Sequence, residues 1–291
     1  MKIALTGSSG FIGKNLEEYF KKKNIEIITL GRNKHHDIEF DIMKKGKIKC
    51  PIKFKNIDIL IHSASVSVNE FYRKKKINYK TVINIVEQEL ASLEKLINFS
   101  KIKKIKKFIF ISSASVYGKN PKNIAFKTSD IPMPSDLYGA LKLSMEILGG
   151  KLFKNFISLR LFQVYGVNDL KFRLVPTVIN SKSVKLDNCS QVTDMIFYKD
   201  LNNLVYKLMT SKKIVKGIFN AGNCQPILLR EIVHKIVKLK KRKTNIKFER
   251  KLSKISNFSY ANKKEIIKKL NWKPLYNINL GLKELINEKN A

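Results

Sequence analysis

Residues 2–13 read Lys2-Ile3-Ala4-Leu5-Thr6-Gly7-Ser8-Ser9-Gly10-Phe11-Ile12-Gly13, and this stretch decides the fold. The run Lys2–Thr6 is short, mostly apolar and stops at a glycine; Ile12, Leu16, Tyr19 and Phe20 then recur at helical spacing through Lys23. The reading is strand, turn, helix. Gly7 permits a tight reversal, Gly10 lets backbone approach a pyrophosphate, and Gly13 allows the helix to pack closely on the strand. The helix N-terminus then faces the phosphates, where its N–H groups and the positive end of its dipole stabilise an anion without a charged side chain. Standing alone, such a turn also fits an ordinary strand-to-helix loop. The segments downstream decide between the two.

Working outward, Ile25–Leu30, Ile57–His62 and Phe108–Ser112 are further strand candidates, with a helical stretch from Val82 to Phe99 between the last two. Strands alternating with helices predict an α/β protein built on a doubly wound parallel sheet. Beyond Tyr165 the alternation loosens, and Asn271-Trp272-Lys273-Pro274 precedes a helical tail. The expected organisation is a dinucleotide-binding domain over 1–164, to which 192–222 returns, and a smaller C-terminal α/β substrate lobe over 165–291.

Composition bounds the partners. With 291 residues, 44% of them hydrophobic, the chain can build real cores. Its 58 Lys+Arg against 23 Asp+Glu give a formal charge of +35. The lysines are scattered, and no arginine-rich or aromatic-interleaved stripe marks a nucleic-acid surface, so no nucleic-acid partner is expected. The positive field favours anionic small molecules such as nucleotides. No apolar run approaches the ~18 to 20 residues of a membrane span, and Met1–Leu5 is too short for a signal peptide, so a soluble, cytoplasmic protein is expected. Cys50, Cys189 and Cys224 read as free thiols, and His35, His36, His62 and His234 form no ligand pattern, so no metal is expected.

The second strand ends Thr29-Leu30-Gly31-Arg32-Asn33. An NAD-selective site would carry an acid here for the ribose hydroxyl, and none is present. Arg32 either pairs with a 2′-phosphate, which favours NADPH over NAD, or is simply solvated. Tyr138 and Lys142 lie four apart and so share one helix face. A nearby ammonium favours the phenolate, easing proton movement to or from a substrate oxygen, and Ser113 can hydrogen-bond that same oxygen. Alone, a Tyr/Lys pair of this spacing is an ordinary surface pair. Following a glycine turn and a strand that ends in Ser112-Ser113, it reads as a hydride-transfer site.

Together these segments resemble the extended short-chain dehydrogenases/reductases, in their NAD-dependent epimerase/dehydratase (nucleotide-sugar) branch. The resemblance also covers Asp58-Ile59-Leu60-Ile61-His62-Ser63-Ala64, Ile77-Asn78-Tyr79-Lys80-Thr81, Ser112-Ser113-Ala114-Ser115-Val116-Tyr117-Gly118, Leu159–Gly166 and Leu270–Pro274. It implies a Rossmann domain, Tyr138 as acid/base, Lys142 on the nicotinamide ribose, and Ser113 on the sugar hydroxyl or ketone. It places Ser9, Phe11 and Ile12 with the three glycines on the pyrophosphate turn. Asp41 and Ile42 fall near the adenine, Ser63, Ala64 and Asn78 along the cofactor, and Phe162 against the nicotinamide. Gln163, Arg173 and Leu174 fall on the substrate side. Relatives also imply a homodimer formed through helices that include the one bearing Tyr138.

Three departures shape the expected reaction. Ala114-Ser115 stands where the family's dehydratases carry an acidic pair, which disfavours dehydration. Thr193 replaces an arginine that pairs with the substrate diphosphate, so the diphosphate is either bound more weakly or held by Arg173 or Lys171. Gln163 stands where asparagine is common. The leading expectation is an NADPH-dependent 4-ketoreductase acting on a nucleotide-linked sugar. The alternative is a nucleotide-sugar 4-epimerase retaining NAD; a dehydratase and a non-catalytic nucleotide or nucleic-acid binder rank lower.

Overall fold

The computed structural model describes residues 1–44, 46–65, 78–211, 215–240, 244–249, 255–262, 265, 268 and 270–290. Part of the Ile77–Thr81 motif, Ile77 itself, lies outside the described residues. Strand β1 (Lys2–Thr6) lies between parallel partners, β2 (Glu26–Gly31) on one side and β4 (Ile59–His62) on the other. A strand covered on both faces must be apolar at successive positions rather than alternate ones, and Ile3, Ala4 and Leu5 are fully buried. The seven-stranded sheet runs β3-β2-β1-β4-β5-β6-β10, with β3 at Ile38–Glu39, β5 at Lys107–Ser113, β6 at Phe156–Leu161 and β10 at Gly217–Ala221. The pairs of β2 with β3 and of β4 with β5 are also parallel, so the sheet is the mostly parallel, doubly wound Rossmann type that the alternation predicts.

Strand order reverses between β1 and β4, and in such sheets ligands bind outside the carboxyl ends of the strands at that reversal. Gly7 follows one of these ends and Ser63 the other.

The helix expected from Val82 begins earlier, at Tyr79, because the Asn78 side chain accepts a hydrogen bond from Thr81 N at 2.8 Å and caps it. It runs on to Ile102 and closes through Lys104, which takes the left-handed conformation (φ 53°) while Ile105 N donates to the Ser100 carbonyl.

The chain divides into two compact units. One comprises Met1–Val116, Pro134–Arg160 and Leu208–Phe219; the other comprises Tyr117–Met133, Leu161–Lys207 and Asn220–Ala291. In the second, β9 (Gln191–Phe197) pairs with β11 (Pro226–Leu228), β13 (Asn257–Ser259) and β7 (Gln163–Tyr165), and β8 (Ser183–Leu186) pairs with β12 (Asn245–Phe248). Asp194 fixes the turns around β9. Its fully buried carboxylate accepts from the backbone N–H groups of Asn223 (2.6 Å), Cys224 (3.0 Å) and Ala261 (3.1 Å). Burial pushes its pKa up to about 6, with those donors working against the rise.

Candidate active site

The turn after β1 is shaped for a phosphate. Gly7 has φ +75°, and a Cβ there would lie 2.6 Å from Ala64 N; a Cβ on Gly13 would lie 2.1 Å from the Gly7 carbonyl oxygen. Gly10 caps the Phe11–Lys22 helix with extended backbone and, being glycine, offers no capping side chain of its own. An anion can therefore take the place that a capping carboxylate or hydroxyl would otherwise hold. Ser63 Oγ donates to the Thr6 carbonyl at 2.7 Å and Ala64 N donates to Thr6 Oγ1 at 3.2 Å, binding the ends of β1 and β4 together. Phe11 is buried under the turn, Ile12 is half-buried, and Ser9 and Gly10 are exposed on it. These groups fit a dinucleotide pyrophosphate.

Arg32 is exposed just beyond β2. Asp41 Oδ1 accepts from Met43 N at 2.9 Å, and Ile42 is buried in the core of the first unit. Asn78, expected along the cofactor, has its Oδ1 engaged as the helix cap.

Ser113, Tyr138 and Lys142 are brought to one place by three local devices. Ser113 is the last residue of β5, and its hydroxyl lies 3.1 Å from Ser115 Oγ and accepts from Ser115 N at 3.1 Å. Asp136 caps the Leu137–Leu152 helix through Gly139 N at 2.7 Å. Gly139 has no Cβ, which would stand 2.4 Å from the Ser115 carbonyl oxygen, so the Tyr138 turn can press against the segment leaving β5. Lys142 is buried, its Nζ 5.8 Å from the Tyr138 ring centroid, 4.8 Å from that of Phe110, and 3.4 Å from the Ile111 carbonyl oxygen. Burial lowers the Lys142 pKa, while the Glu89 and Glu146 carboxylates work to hold it up. A buried ammonium beside a phenol is the arrangement that makes the phenol a usable acid/base.

Sequence reading missed what lies beneath this group. Arg160 and Glu146, both buried, form an ion pair with Nη2–Oε2 at 2.7 Å. Glu146 Oε1 also accepts from Ser112 Oγ (2.5 Å) and Ser158 Oγ (2.8 Å). An arginine inside the apolar run Ile157-Ser158-Leu159-Arg160-Leu161 was the available signal, because a buried guanidinium demands an anion. Glu89, fully buried, accepts from Ser65 Oγ at 2.8 Å.

His62 is fully buried with Nδ1 2.7 Å from Thr6 Oγ1. Burial, helped by the Lys142 cation, lowers its pKa from 6.5 to about 3, so the folded protein holds it neutral while the unfolded chain protonates it. The contribution is intact above pH 6.5 and is lost as pH falls towards 3. Relative to His62→Gln, the wild type should lose up to about 1.4 kcal/mol of stability per pH unit in that window. Urea unfolding of both proteins at pH 7 and pH 5 checks this; parallel pH dependences would contradict it.

In the second unit, Phe162 is buried and donates from its N to the Ala221 carbonyl at 3.0 Å. Gln163 Oε1 accepts from Arg173 Nη2 at 2.7 Å, and Arg173 Nη1 reaches Asp169 Oδ1 at 3.1 Å. Leu174 opens the helix Leu174–Asn180 behind Arg173. The structure thus joins Gln163, Arg173 and Leu174. Thr193 is buried within β9, and Lys171 is exposed. Among the described residues no group of His, Cys, Asp and Glu could hold a metal ion, and no helix is long and apolar enough to cross a membrane.

Comparison with known proteins bears on the family and the fold. CDP-abequose synthase of Salmonella typhimurium is 24% identical over 98% of this chain and 97% of its own. The structure of RMD from Pseudomonas aeruginosa complexed with NADPH superposes with a TM-score of 0.80 at 18% identity, covering 100% and 99% of the two chains. UDP-glucuronic acid 4-epimerase from Bacillus cereus, in complex with UDP-4-deoxy-4-fluoro-glucuronic acid and NAD, gives 0.79 at 20% identity with full coverage of both. The profile of the NAD dependent epimerase/dehydratase family matches residues 3–222, a span holding the glycine turn, the Ser113, Tyr138 and Lys142 set and the Gln163–Arg173 pair. With the doubly wound sheet and its switch-point turn, that match makes this chain a member of the NAD-dependent epimerase/dehydratase family.

Proposed function

We propose that this protein transfers hydride at a carbon, C4, of a nucleotide-linked sugar, and that it works as an NADPH-dependent 4-ketoreductase. The observation that carries the reading is the buried Lys142 Nζ beside the Tyr138 ring, with Ser113 at the end of the neighbouring strand. A bound nicotinamide supplies the hydride. Tyr138 Oη gives its proton to the C4 oxygen, Ser113 Oγ orients that oxygen, and the Lys142 charge eases the loss of the phenolic proton. The glycine turn holds the pyrophosphate; Ser63, Ala64, Asp41 and Ile42 are assigned along the cofactor, and Gln163, Arg173 and Leu174 to the substrate's nucleotide. Thr193 is buried where relatives use an arginine, so the diphosphate is left to Arg173.

Reduction is preferred because β2 ends at Gly31 and is followed by Arg32, without an acid for the ribose hydroxyl. Ala114-Ser115, in place of an acidic pair, disfavours loss of water. A 4-epimerase would use the same three side chains with a retained nicotinamide, and the likeness to the UDP-glucuronic acid 4-epimerase supports it as the second reading. The test is a panel of nucleotide-sugars and their 4-keto forms, followed by nicotinamide absorbance with NADPH and with NADH. Consumption of NADPH with a 4-keto substrate is expected. Epimerised sugar without net absorbance change, together with nicotinamide released only on denaturation, would replace reduction with epimerisation.

A further inference from the structure

The loop after β2 fills the place of the missing acid. Gly31 ends β2, the stretch where an NAD site carries its ribose-binding carboxylate, and here a side chain cannot be built: its Cβ would stand 2.1 Å from His36 Cδ2 and 2.3 Å from His36 Nε2. The imidazole therefore lies against the Gly31 backbone, in the space an aspartate at that position would take.

Several contacts hold it there. Asn33–His36 closes a turn through His36 N and the Asn33 carbonyl at 3.0 Å. Asp37, the next residue, is pinned to β2, its Oδ2 accepting from Thr29 N (2.8 Å) and Thr29 Oγ1 (2.9 Å) while its own N donates to Thr29 Oγ1 (3.1 Å). Phe40 N then donates to the Gly31 carbonyl at 2.9 Å, and β3 pairs Leu30 with Ile38. On its other side the ring reaches the glycine turn, with His36 Nδ1 3.3 Å from the hydroxyl of buried Ser8. When Ser8 donates, the proton sits on Nε2, the nitrogen facing Gly31, and the ring presents an N–H donor where an NAD site presents an acceptor. Arg32 just before the turn and Lys34 within it add positive charge, while the Asp37 carboxylate is occupied by Thr29.

We infer that His36, seated on Gly31 and tied to Ser8, determines cofactor choice: it excludes the acid that would bind a free ribose 2′-hydroxyl and donates to a 2′-phosphate beside Arg32. The inference rests on the NADPH reading above and deepens it. It also explains Gly31, since any side chain there would displace the ring.

The test is equilibrium binding of NADPH and NADH, by quenching of protein fluorescence or calorimetry, to the wild type, to His36→Ala and to Gly31→Asp/His36→Ala. The wild type should bind NADPH more tightly. His36→Ala should weaken NADPH about tenfold or more, the scale of one charge-assisted hydrogen bond, and leave NADH nearly unchanged. The double variant should prefer NADH. A wild type that prefers NADPH with a His36→Ala variant keeping the same NADPH/NADH ratio overturns the role of His36 and leaves the NADPH reading standing. A wild type that binds NADH at least as tightly as NADPH overturns that reading, and this inference with it. Thermal unfolding of each variant without cofactor separates lost affinity from lost fold.

Discussion

Replacing Tyr138 by phenylalanine should lower kcat by about 10²- to 10⁴-fold, the range a positioned general acid/base contributes. It should leave the binding of NADPH close to that of the wild type. The change removes one oxygen and keeps the ring that Lys142 Nζ approaches at 5.8 Å, so the cation retains its neighbour. The Asp136 cap on Gly139 N and the close approach of Gly139 to the Ser115 segment do not involve the Tyr138 side chain and are untouched. A loss in turnover without a loss in cofactor affinity or thermal stability therefore locates the defect at the proton. Steady-state kinetics with the turned-over substrate, alongside a binding titration, separates the two. Full activity in Tyr138→Phe would remove Tyr138 from the chemistry.

Glu146→Ala should cost about 3–5 kcal/mol of folding stability, because it leaves the buried Arg160 guanidinium without its carboxylate. Small domains have only about 5–15 kcal/mol to lose, so the variant should be close to unfolding at 37 °C. The carboxylate also collects Ser112 Oγ and Ser158 Oγ, which tie the Leu137–Leu152 helix to β5 and β6 directly beneath Ser113. With Glu89 it also works to hold up the Lys142 pKa against burial, so a soluble variant should have a lower Lys142 pKa as well as less stability. Denaturant unfolding reads the first effect. The paired variant Glu146→Leu/Arg160→Met controls for it, since replacing both partners by apolar groups is often neutral or stabilising by about 1–4 kcal/mol. An unchanged midpoint in Glu146→Ala would mean that the pair contributes nothing to the fold.

The parts of this molecule legible in the sequence are those set by local rules. The β1 turn was readable because phosphate binding needs glycine where a Cβ would strike backbone, as at Gly7 and Gly13. Tyr138 and Lys142 were readable because the helix fixes their spacing. Of the seven sheet strands, β1, β2, β4 and β5 showed as apolar runs, since both faces are covered, whereas β3, β6 and β10 were not read. The short strands β7, β8, β11, β12 and β13 span only three or four residues each and carry no periodicity to read. Glu146 with Arg160, Asp194 with Ala261, and Ser8 with His36 join groups from different elements, and no local spacing encodes such partners. For Glu146 and Arg160 only the demand of a buried charge for a counter-ion points to a pair, and that demand names no partner.

The most direct measurement of hydride transfer to the sugar uses NADPH carrying deuterium at both C4 positions of its nicotinamide, incubated with the wild type and 4-keto nucleotide-sugars. The recovered sugar is analysed by mass spectrometry and proton NMR. The account predicts one deuterium, bonded to C4 of the nucleotide-sugar product, and its disappearance with Tyr138→Phe. Recovery of every substrate unlabelled and chemically unchanged, with NADPH and with NADH, would contradict it.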